Sequence, residues 1–150
     1  MSRSVLLALV LALSFLGVAD SWYLYQSAVT DTALSCDIGA GLDGCNIVAQ
    51  SPYSQLFDVP LALYGVLFFA IVFALSLALY FVQTRGMYRT LYGLGIFGAL
   101  ASIVFLYIQF ALIQALCIYC IFSAGIAFLI LFLARILWKH HAPPFLVPIR

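Results

Sequence analysis

Long apolar runs alternate with short polar connections along the chain, and this pattern predicts most of its structure. Four apolar stretches cover residues 4–27, 59–82, 90–114 and 116–138. Each is long enough to cross a bilayer, since a spanning helix takes about 20 apolar residues. The last three contain no acidic or basic residue before Arg135, and the first contains only Asp20. The pattern predicts an all-α, polytopic membrane protein built as a four-transmembrane-helix bundle.

Composition supports a membrane protein and excludes a water-soluble domain. Hydrophobic residues make up 67% of the chain and charged residues 7%, whereas a soluble domain is about one quarter charged. The net charge of +1 provides no basic surface for nucleic acid. At 150 residues, we expect a single domain over residues 1–150, embedded in the lipid bilayer.

Charged residues divide completely between the two ends of the predicted bundle. The basic residues lie before span 1, between spans 2 and 3, or at and beyond the end of span 4: Arg3, Arg85, Arg89, Arg135, Lys139 and Arg150. The acidic residues fall at the other end: Asp20, Asp31, Asp37, Asp43 and Asp58. The positive-inside rule therefore predicts cytoplasmic N- and C-termini and an extracytoplasmic loop over residues 28–58.

The N-terminal run has a competing interpretation as a cleavable signal peptide. Arg3, the apolar run and the small residues Gly17-Val18-Ala19 are typical of such a signal. However, the run continues through Trp22-Tyr23-Leu24-Tyr25, and cleavage would move the C-terminus to the opposite side of the membrane. We therefore expect the first span to be retained.

Two cysteine pairs carry the candidate chemistry. Cys36 and Cys45 lie in the 28–58 loop, and Cys117 and Cys120 form a C-I-Y-C motif that opens span 4. Positions three apart share a helix face, and free N–H groups at a helix start stabilise a thiolate on the first cysteine. Because the charge distribution puts both pairs on one side of the membrane, the sequence predicts a thiol–disulfide relay between loop and CxxC.

Other interpretations of the cysteines remain open from the residues alone. Four cysteines can bind zinc, although a CxxC at the lipid edge and a flexible Cys-x8-Cys are unusual for a closed tetrahedral site. Cys36 and Cys45 can form a purely structural disulfide in an oxidising compartment. Cys117 and Cys120 can be inert or palmitoylated. These alternatives correspond to a non-catalytic tetraspan membrane protein.

Other features of the sequence lead to expectations about local structure. Residues 46–57 of the loop are expected to form a short helix on the membrane surface, which Pro52 would limit in length. The GxGxxG pattern of Gly93–Gly98 has no preceding strand, so we expect helix packing there. Asp20 is either a functional ionisable group or an anchor for the helix end. Gln109 and Gln114 are expected to bond between helices rather than to a ligand.

Taken together, the motifs resemble the vitamin K epoxide reductase family in its bacterial stand-alone form. They comprise Asp20-Ser21-x-Tyr23-Leu24 ending span 1, the loop cysteine pair with Ser51 six residues after Cys45, Val59-Pro60-Leu61-Ala62-Leu63-Tyr64-Gly65 leading into span 2, and the CxxC. The B-type quinone-coupled oxidases also have four spans, but they place CxxC in the first outer loop. The resemblance covers nearly the whole chain.

The resemblance implies a role for each cysteine. Cys120 would face a membrane quinone, namely ubiquinone, menaquinone or a vitamin K-type quinone. Cys117 would exchange with Cys45, and Cys36 would exchange electrons with a thioredoxin-fold partner. The implied activity is a quinone-dependent thiol–disulfide oxidoreductase that supports disulfide-bond formation and needs no metal. The resemblance further implies a quinone pocket formed by Cys120, Ser51, Leu61 and Ala124.

The chain also departs from parts of the family pattern. Animal members have Asn at the start of span 2 and Thr-Tyr-Ala after the CxxC, where this chain has Leu61 and Phe122-Ser123-Ala124. Vitamin K quinone or epoxide reduction by the same relay is therefore the alternative rather than the expected activity. Some bacterial members carry a fused thioredoxin-like domain; we expect none in this protein and expect the thiol partner to be a separate protein. With the resemblance to the bacterial form, we also expect a prokaryotic plasma membrane.

Overall fold

A computed structural model of the protein describes residues 2–34 and 44–141. The elements in chain order are α1 (Arg3–Thr30), α2 (Gly44–Ala49), a 3-10 turn (Pro52–Ser54), β1 (Gln55–Leu56), β2 (Val59–Pro60), α3 (Leu61–Phe81), α4 (Arg85–Tyr107), a π-helix (Ile108–Ile113) that continues α4, and α5 (Ile118–His141). Four of the described helices are long and apolar enough to cross a membrane. The predicted all-α polytopic fold is therefore confirmed.

Local signals set where the long helices begin and end. Ser2 and Thr84 precede α1 and α4, and each side-chain oxygen accepts a hydrogen bond from a backbone N–H in the first turn, as N-cap residues do. Asp31 ends α1 in the left-handed conformation, with φ at 49°. α1 therefore ends at Thr30, three residues after residue 27, where the sequence predicted the end of span 1.

The four long helices pack in a defined order around the bundle. α1 packs most extensively on α3, α4 packs on α5, and α1 also packs on α5, whereas α3 and α4 touch each other less. The hydroxyl of Tyr80 near the end of α3 donates to the carbonyl of Ser4 at 3.0 Å. The Arg85 guanidinium stacks over the Trp138 ring at 5.3 Å from its centroid. We call this end, which carries Arg3, Arg85 and Lys139, the basic end.

The apolar core is concentrated toward the basic end of the bundle. Its fully buried members come from all four long helices: Leu6, Leu7, Val10, Val72, Leu79, Leu91, Ile130 and Leu137. The opposite end, which carries Cys45 and Cys117, is called the cysteine end. There a separate small cluster of Leu34, Cys45 and Cys117 is buried. The bundle is thus solid in one half and leaves room for a site in the other.

Close helix contacts depend on glycine at several positions. A Cβ on Gly95 would lie 2.9 Å from the Leu131 Cα, and a Cβ on Gly65 would lie 2.7 Å from the Ser21 Oγ. A Cβ on Gly98 would meet the Phe68 ring. Gly95 and Gly98 belong to the GxGxxG pattern, so two of its three glycines serve the α4 packing that the sequence favoured over a nucleotide site.

The expected helix over residues 46–57 is only partly correct. α2 ends at Ala49, and after the 3-10 turn the chain forms a hairpin in which Leu56 pairs with Val59. Phe57 and Asp58 both have positive φ, at 54° and 60°, as a two-residue hairpin turn of this kind requires. Pro52 starts the 3-10 turn and separates it from α2. The hairpin also delays the start of α3 to Leu61, two residues after the predicted start of span 2.

Candidate redox site

The CxxC motif lies where α5 begins. Cys117 is the residue before Ile118, the first residue of α5, and its carbonyl accepts the first helical hydrogen bond from the Ile121 N–H at 3.0 Å. Cys117 is therefore the N-cap residue of α5 and lies one residue before its first turn. Cys117 is buried and Cys120 is half-buried, and both are free thiols.

The position of Cys117 favours its ionised form. The Cys120 thiol donates a hydrogen bond to the Cys117 sulfur, and the backbone N–H groups of Cys120 and Tyr119 donate to it as well. These bonds lower the pKa of Cys117 to about 7, against burial and the nearby Asp20 carboxylate, which raise it. At neutral pH a large fraction of Cys117 is thiolate, the reactive form of cysteine.

A buried glutamine from the π-helix holds the start of the motif. The Gln109 Oε1 accepts a hydrogen bond from the Cys117 backbone N–H at 3.0 Å, and the Gln109 side chain also hydrogen-bonds Cys120. The backbone carbonyl of Gln109 accepts from Ala115 N–H at 3.2 Å, and Gln114 then turns the chain with φ at 56°. π-helical turns are often found at functional sites. Here the turn brings one polar side chain into contact with both cysteines.

Short helix α2 brings Cys45 to the same place. Asn46 fixes α2 to the end of the preceding segment, because its Oδ1 accepts from the Leu34 N–H at 2.8 Å. At the start of α2, a Cβ on Gly44 would collide with the Leu116 carbonyl oxygen. Cys45 is consequently buried in one cluster with Cys117 and is itself disulfide-bonded. Cys36 lies outside the described residues.

A cavity of about 410 Å³ opens beside the cysteines at the cysteine end of the bundle. Its wall contains Cys45, Cys117 and Cys120, and most of the remaining wall is apolar. Aromatic side chains from α3 and α4 also line it: Phe68, Phe69, Phe97 and Phe105. The polar groups in the wall include the side chains of Gln109, Ser102 and Ser123. A small, flat, mostly apolar molecule with a few hydrogen-bonding atoms matches this lining.

The residues expected around the quinone all reach this cavity. Ser51, Leu61 and Ala124 lie in its wall together with Cys120. The Ser51 hydroxyl donates to the Val48 carbonyl at 2.7 Å, so it ties the end of α2 to the following turn. Leu61 and Ala124 contribute apolar surface only. The structure thus brings together every described member of the predicted site, while their binding of a ligand stays a prediction.

Asp20 lies within α1 and not at its end, so its interpretation as a functional ionisable group stays open while that of a terminal cap does not. α1 continues ten residues beyond it to Thr30, so Asp20 is not a terminal cap. Its Oδ2 accepts a hydrogen bond from the Ser123 hydroxyl of α5, and it is close enough to interact electrostatically with both Cys117 and Cys120. Sequence reasoning missed Ser123. Its spacing could have indicated a place at the site, because Ser123 lies three residues after Cys120 and so on the same helix face.

The arrangement does not favour the zinc alternative. Among residues 2–34 and 44–141, no three His, Cys, Asp or Glu side chains are grouped as metal ligands would be. Zinc is bound by cysteine thiolates, and Cys45 is engaged in a disulfide. The thiols of the CxxC pair instead face each other and the cavity.

Comparison with known proteins agrees with the motifs. The family model described as the vitamin K epoxide reductase family matches residues 8–135. The thiol-disulfide oxidoreductase LTO1 of Arabidopsis thaliana is 34% identical over 122 residues, an alignment that covers 77% of this chain and 32% of that protein. The chain therefore spans about a third of this relative's length. Because the family match extends from α1 to most of α5, the resemblance is confirmed: the chain belongs to the vitamin K epoxide reductase family.

Proposed function

We propose that the protein is a quinone-dependent thiol–disulfide oxidoreductase that oxidises a thioredoxin-fold partner protein. The observation that carries the proposal is the contact of two different cysteine systems at one cavity. Disulfide-bonded Cys45 packs against the free Cys117, and Cys120 lines the cavity. The name of the similar Arabidopsis protein, a thiol-disulfide oxidoreductase, supports the same class of chemistry.

The first steps move two electrons inward from the partner. The Cys36–Cys45 disulfide is reduced to two thiols as the partner dithiol becomes a disulfide. Cys45 then attacks the Cys117 sulfur of an oxidised CxxC, and Cys120 leaves as a thiol. Cys36 attacks Cys45, re-forms the loop disulfide and releases Cys117. A leaving thiol departs faster when its pKa is low, which suits Cys117 with a pKa of about 7.

Two observations agree with this order of events. Cys45 is bonded in a disulfide while Cys117 and Cys120 are thiols, which is the state expected after the inward transfer. Cys45 and Cys117 are also buried in one cluster, against which the half-buried Cys120 packs. All three cysteines line the cavity, so a relay from the loop disulfide through the CxxC to a bound ligand would stay within this one site.

The cavity fits a quinone as the final acceptor. Its volume of about 410 Å³ lies within the range of roughly 300–1,000 Å³ for small-molecule sites, which are mostly apolar with a few polar groups. A quinone bound there would take up two electrons and two protons. Cys117 and Cys120 would supply the two electrons and close to a disulfide, with one proton from the Cys120 thiol and the second from water. Gln109 would keep the Cys117 backbone oriented.

The alternative of epoxide reduction is less well supported. Leu61 lines the cavity where animal members carry Asn, and it offers only apolar surface. A non-catalytic tetraspan is also disfavoured, because a structural role gives no reason to keep two free thiols at a cavity. We further propose that the cysteine end faces the extracytoplasmic side, because every basic residue is near the other end or beyond it.

The test is catalytic oxidation of a dithiol protein. Purified protein in lipid nanodiscs is mixed with a reduced thioredoxin-fold protein and, in turn, ubiquinone, menaquinone or vitamin K quinone. Partner thiols and quinone absorbance should fall together in the parent protein. Each of the variants Cys36→Ser, Cys45→Ser, Cys117→Ser and Cys120→Ser should stop this turnover. Folded parent protein that oxidises no thiol with any of the three quinones contradicts the proposal.

A further inference from the structure

The Asp20–Ser123 pair is a polar contact inside the bundle that the proposed relay does not use. The Ser123 hydroxyl of α5 donates to the Asp20 carboxylate of α1, and Ser123 also lines the cavity. Asp20 is absent from the cavity wall, so Ser123 stands between the carboxylate and the space where a ligand would lie. An ionisable group in a spanning helix is costly, and it usually has a function or a named partner.

The neighbours of Asp20 connect it to the reacting thiols. Ser123 follows Cys120 by one helical turn, so both side chains lie on the same face of α5. Asp20 interacts electrostatically with Cys117, Cys120 and Tyr119 on the α5 side. Ser21, the residue after Asp20 in α1, lies next to Gly65 of α3. Glycine has no ionisable side chain. Within the described part of the chain, the titratable neighbours of the Asp20 carboxylate are thus the two thiols and the Tyr119 phenol.

The chemistry of the proposed last step creates a need for such a group. The Cys117 thiolate and the Cys120 thiol form one S–S bond as the Cys120 S–H bond breaks. Two electrons and the Cys120 proton pass to the quinone, which takes its second proton from water and leaves as a quinol. The Cys117 sulfur receives three hydrogen bonds, which stabilise its thiolate. Among the described residues, Asp20 is the carboxylate that interacts electrostatically with Cys120. A proton carrier acts within hydrogen-bond reach or through one water molecule.

We propose that Asp20 and Ser123 form a proton relay between the Cys120 thiol and the quinone oxygen. Asp20 holds the proton that Cys120 releases, and the Ser123 hydroxyl passes it to the ligand in the cavity. Asp20 regains its starting charge at the end of each turnover, so the relay adds no net proton to the reaction. Ser123 would touch the ligand, whereas Asp20 would act through Ser123. The inference rests on the function proposed above.

The experiment separates the two halves of the reaction. In Asp20→Asn the amide oxygen still accepts the Ser123 hydrogen bond but cannot hold the proton. Single-turnover quinone reduction by the pre-reduced variant should slow at least about tenfold, by loss of proton-transfer assistance. Exchange of its oxidised form with the partner dithiol should stay within about twofold of the parent rate. Asp31→Asn is the matched control, because Asp31 is an exposed residue at the end of α1. Its φ of 49° is a backbone conformation that Asn also adopts.

A second readout does not depend on turnover. Because oxidation removes the Cys120 thiol near Asp20, the Asp20 carboxylate band should shift without a change of charge. The infrared difference between the dithiol and disulfide forms of quinone-free protein should therefore contain a carboxylate band that Asp20→Asn removes and Asp31→Asn retains. Equal slowing of both half-reactions, unchanged quinone reduction in Asp20→Asn, or absence of the band would each overturn the relay. If Asp20→Asn does not fold, Ser123→Ala and Ser123→Thr provide the test, since only threonine keeps the hydroxyl.

These outcomes remain distinct from failure of the proposed function. A parent protein that does not reduce quinone at all contradicts the function itself. A parent protein that reduces quinone, together with an equally active Asp20→Asn, leaves the function intact and makes the Asp20–Ser123 bond a contact between helices only.

Discussion

At the scale of single residues, the two cysteines of the CxxC have different surroundings and therefore different chemistry. Cys117 sits at the N-cap of α5 and receives hydrogen bonds from Cys120 and from two backbone N–H groups, whereas Cys120 faces the cavity and the Gln109 side chain. The first is arranged to act as a thiolate toward Cys45. The second is arranged to meet a ligand.

This difference predicts a pH profile. Because the folded-state pKa of Cys117 is lowered to about 7, its thiolate should increase as the pH rises through 7 and disappear toward pH 6. Thiolate absorbance of the reduced protein, measured against pH, should show this midpoint. In Cys120→Ala the main hydrogen bond is lost, so the midpoint should move up toward the ordinary thiol pKa of about 8.5. A parent midpoint near 8.5 would contradict the arrangement.

Gln109 offers a matched test of how the motif is held. Gln109→Asn shortens the side chain and leaves the buried Cys117 N–H unpaired, which should lower the free energy of unfolding by about 1–3 kcal/mol. Gln114→Asn is the same change at an exposed position with φ at 56°, a conformation that Asn tolerates. Unfolding of both variants in mixed detergent micelles measures the difference. Equal effects at the two positions would show that the Gln109 bond does not matter.

Most of the site could be predicted from the sequence at this scale, and the exceptions have a physical cause. The CxxC, Cys45, Ser51, Leu61 and Ala124 all carry recognisable motifs, and all reach one cavity. Gln109 and Ser123 do not, because a lone polar residue in an apolar span has many possible partners before the helices are packed. Only the tertiary contacts show that one bonds Cys117 and the other bonds Asp20.

At the scale of elements, α2 determines how close the two cysteine systems come. Gly44 packs against the Leu116 carbonyl oxygen so closely that a Cβ there would collide with it. The backbone cannot rotate away as a side chain would. The position of Cys45 beside Cys117 therefore depends on glycine at residue 44.

Gly44→Ala should push α2 away from the start of α5 and slow the thiol exchange between the loop and the CxxC. A displacement of about 1 Å in reacting groups costs on the order of a hundredfold in rate, so we expect a loss of ten- to a hundredfold. Gly93→Ala serves as the control, since a Cβ on Gly93 has no atom within 4 Å. Rapid-mixing measurements of CxxC reduction by the partner dithiol give both rates. Parent-like exchange in Gly44→Ala would contradict this role for α2.

The elements that the sequence predicted incompletely are the short ones. Apolar length fixed the four spans to within a few residues, because burial in lipid demands it. The hairpin between β1 and β2 was missed because its turn uses Phe57 at a φ of 54°, a residue that is rare in this conformation. The π-helix Ile108–Ile113 was missed because its apolar sequence is equally compatible with an α-helix.

At the scale of the whole molecule, the bundle divides into a solid basic end and a cysteine end that contains the cavity. A rigid core at one end supports a site at the other, where helices α3 and α4 contact each other less than the remaining neighbours do. The division of charge follows the same axis, since the basic end carries Arg3, Arg85 and Lys139.

This charge division predicts the orientation in the membrane. In a background with all four cysteines changed to alanine, Gln55→Cys at the cysteine end should react with an impermeant maleimide added to intact cells. Gly86→Cys at the basic end is also exposed but should react only after the membrane is opened. The positive-inside rule gives this result. Labelling of Gly86→Cys alone in intact cells would reverse the proposed orientation.

The central claim is that the CxxC dithiol gives its electrons to a quinone in the adjoining cavity. The most direct measurement mixes reduced protein with quinone in nanodiscs, without any thiol partner, and follows quinone absorbance while mass spectrometry counts the remaining thiols. We predict that quinone and the Cys117–Cys120 dithiol disappear in equal amounts, and that Cys120→Ala abolishes both changes. Unchanged quinone absorbance, or quinone loss that persists in folded Cys120→Ala, would contradict the account.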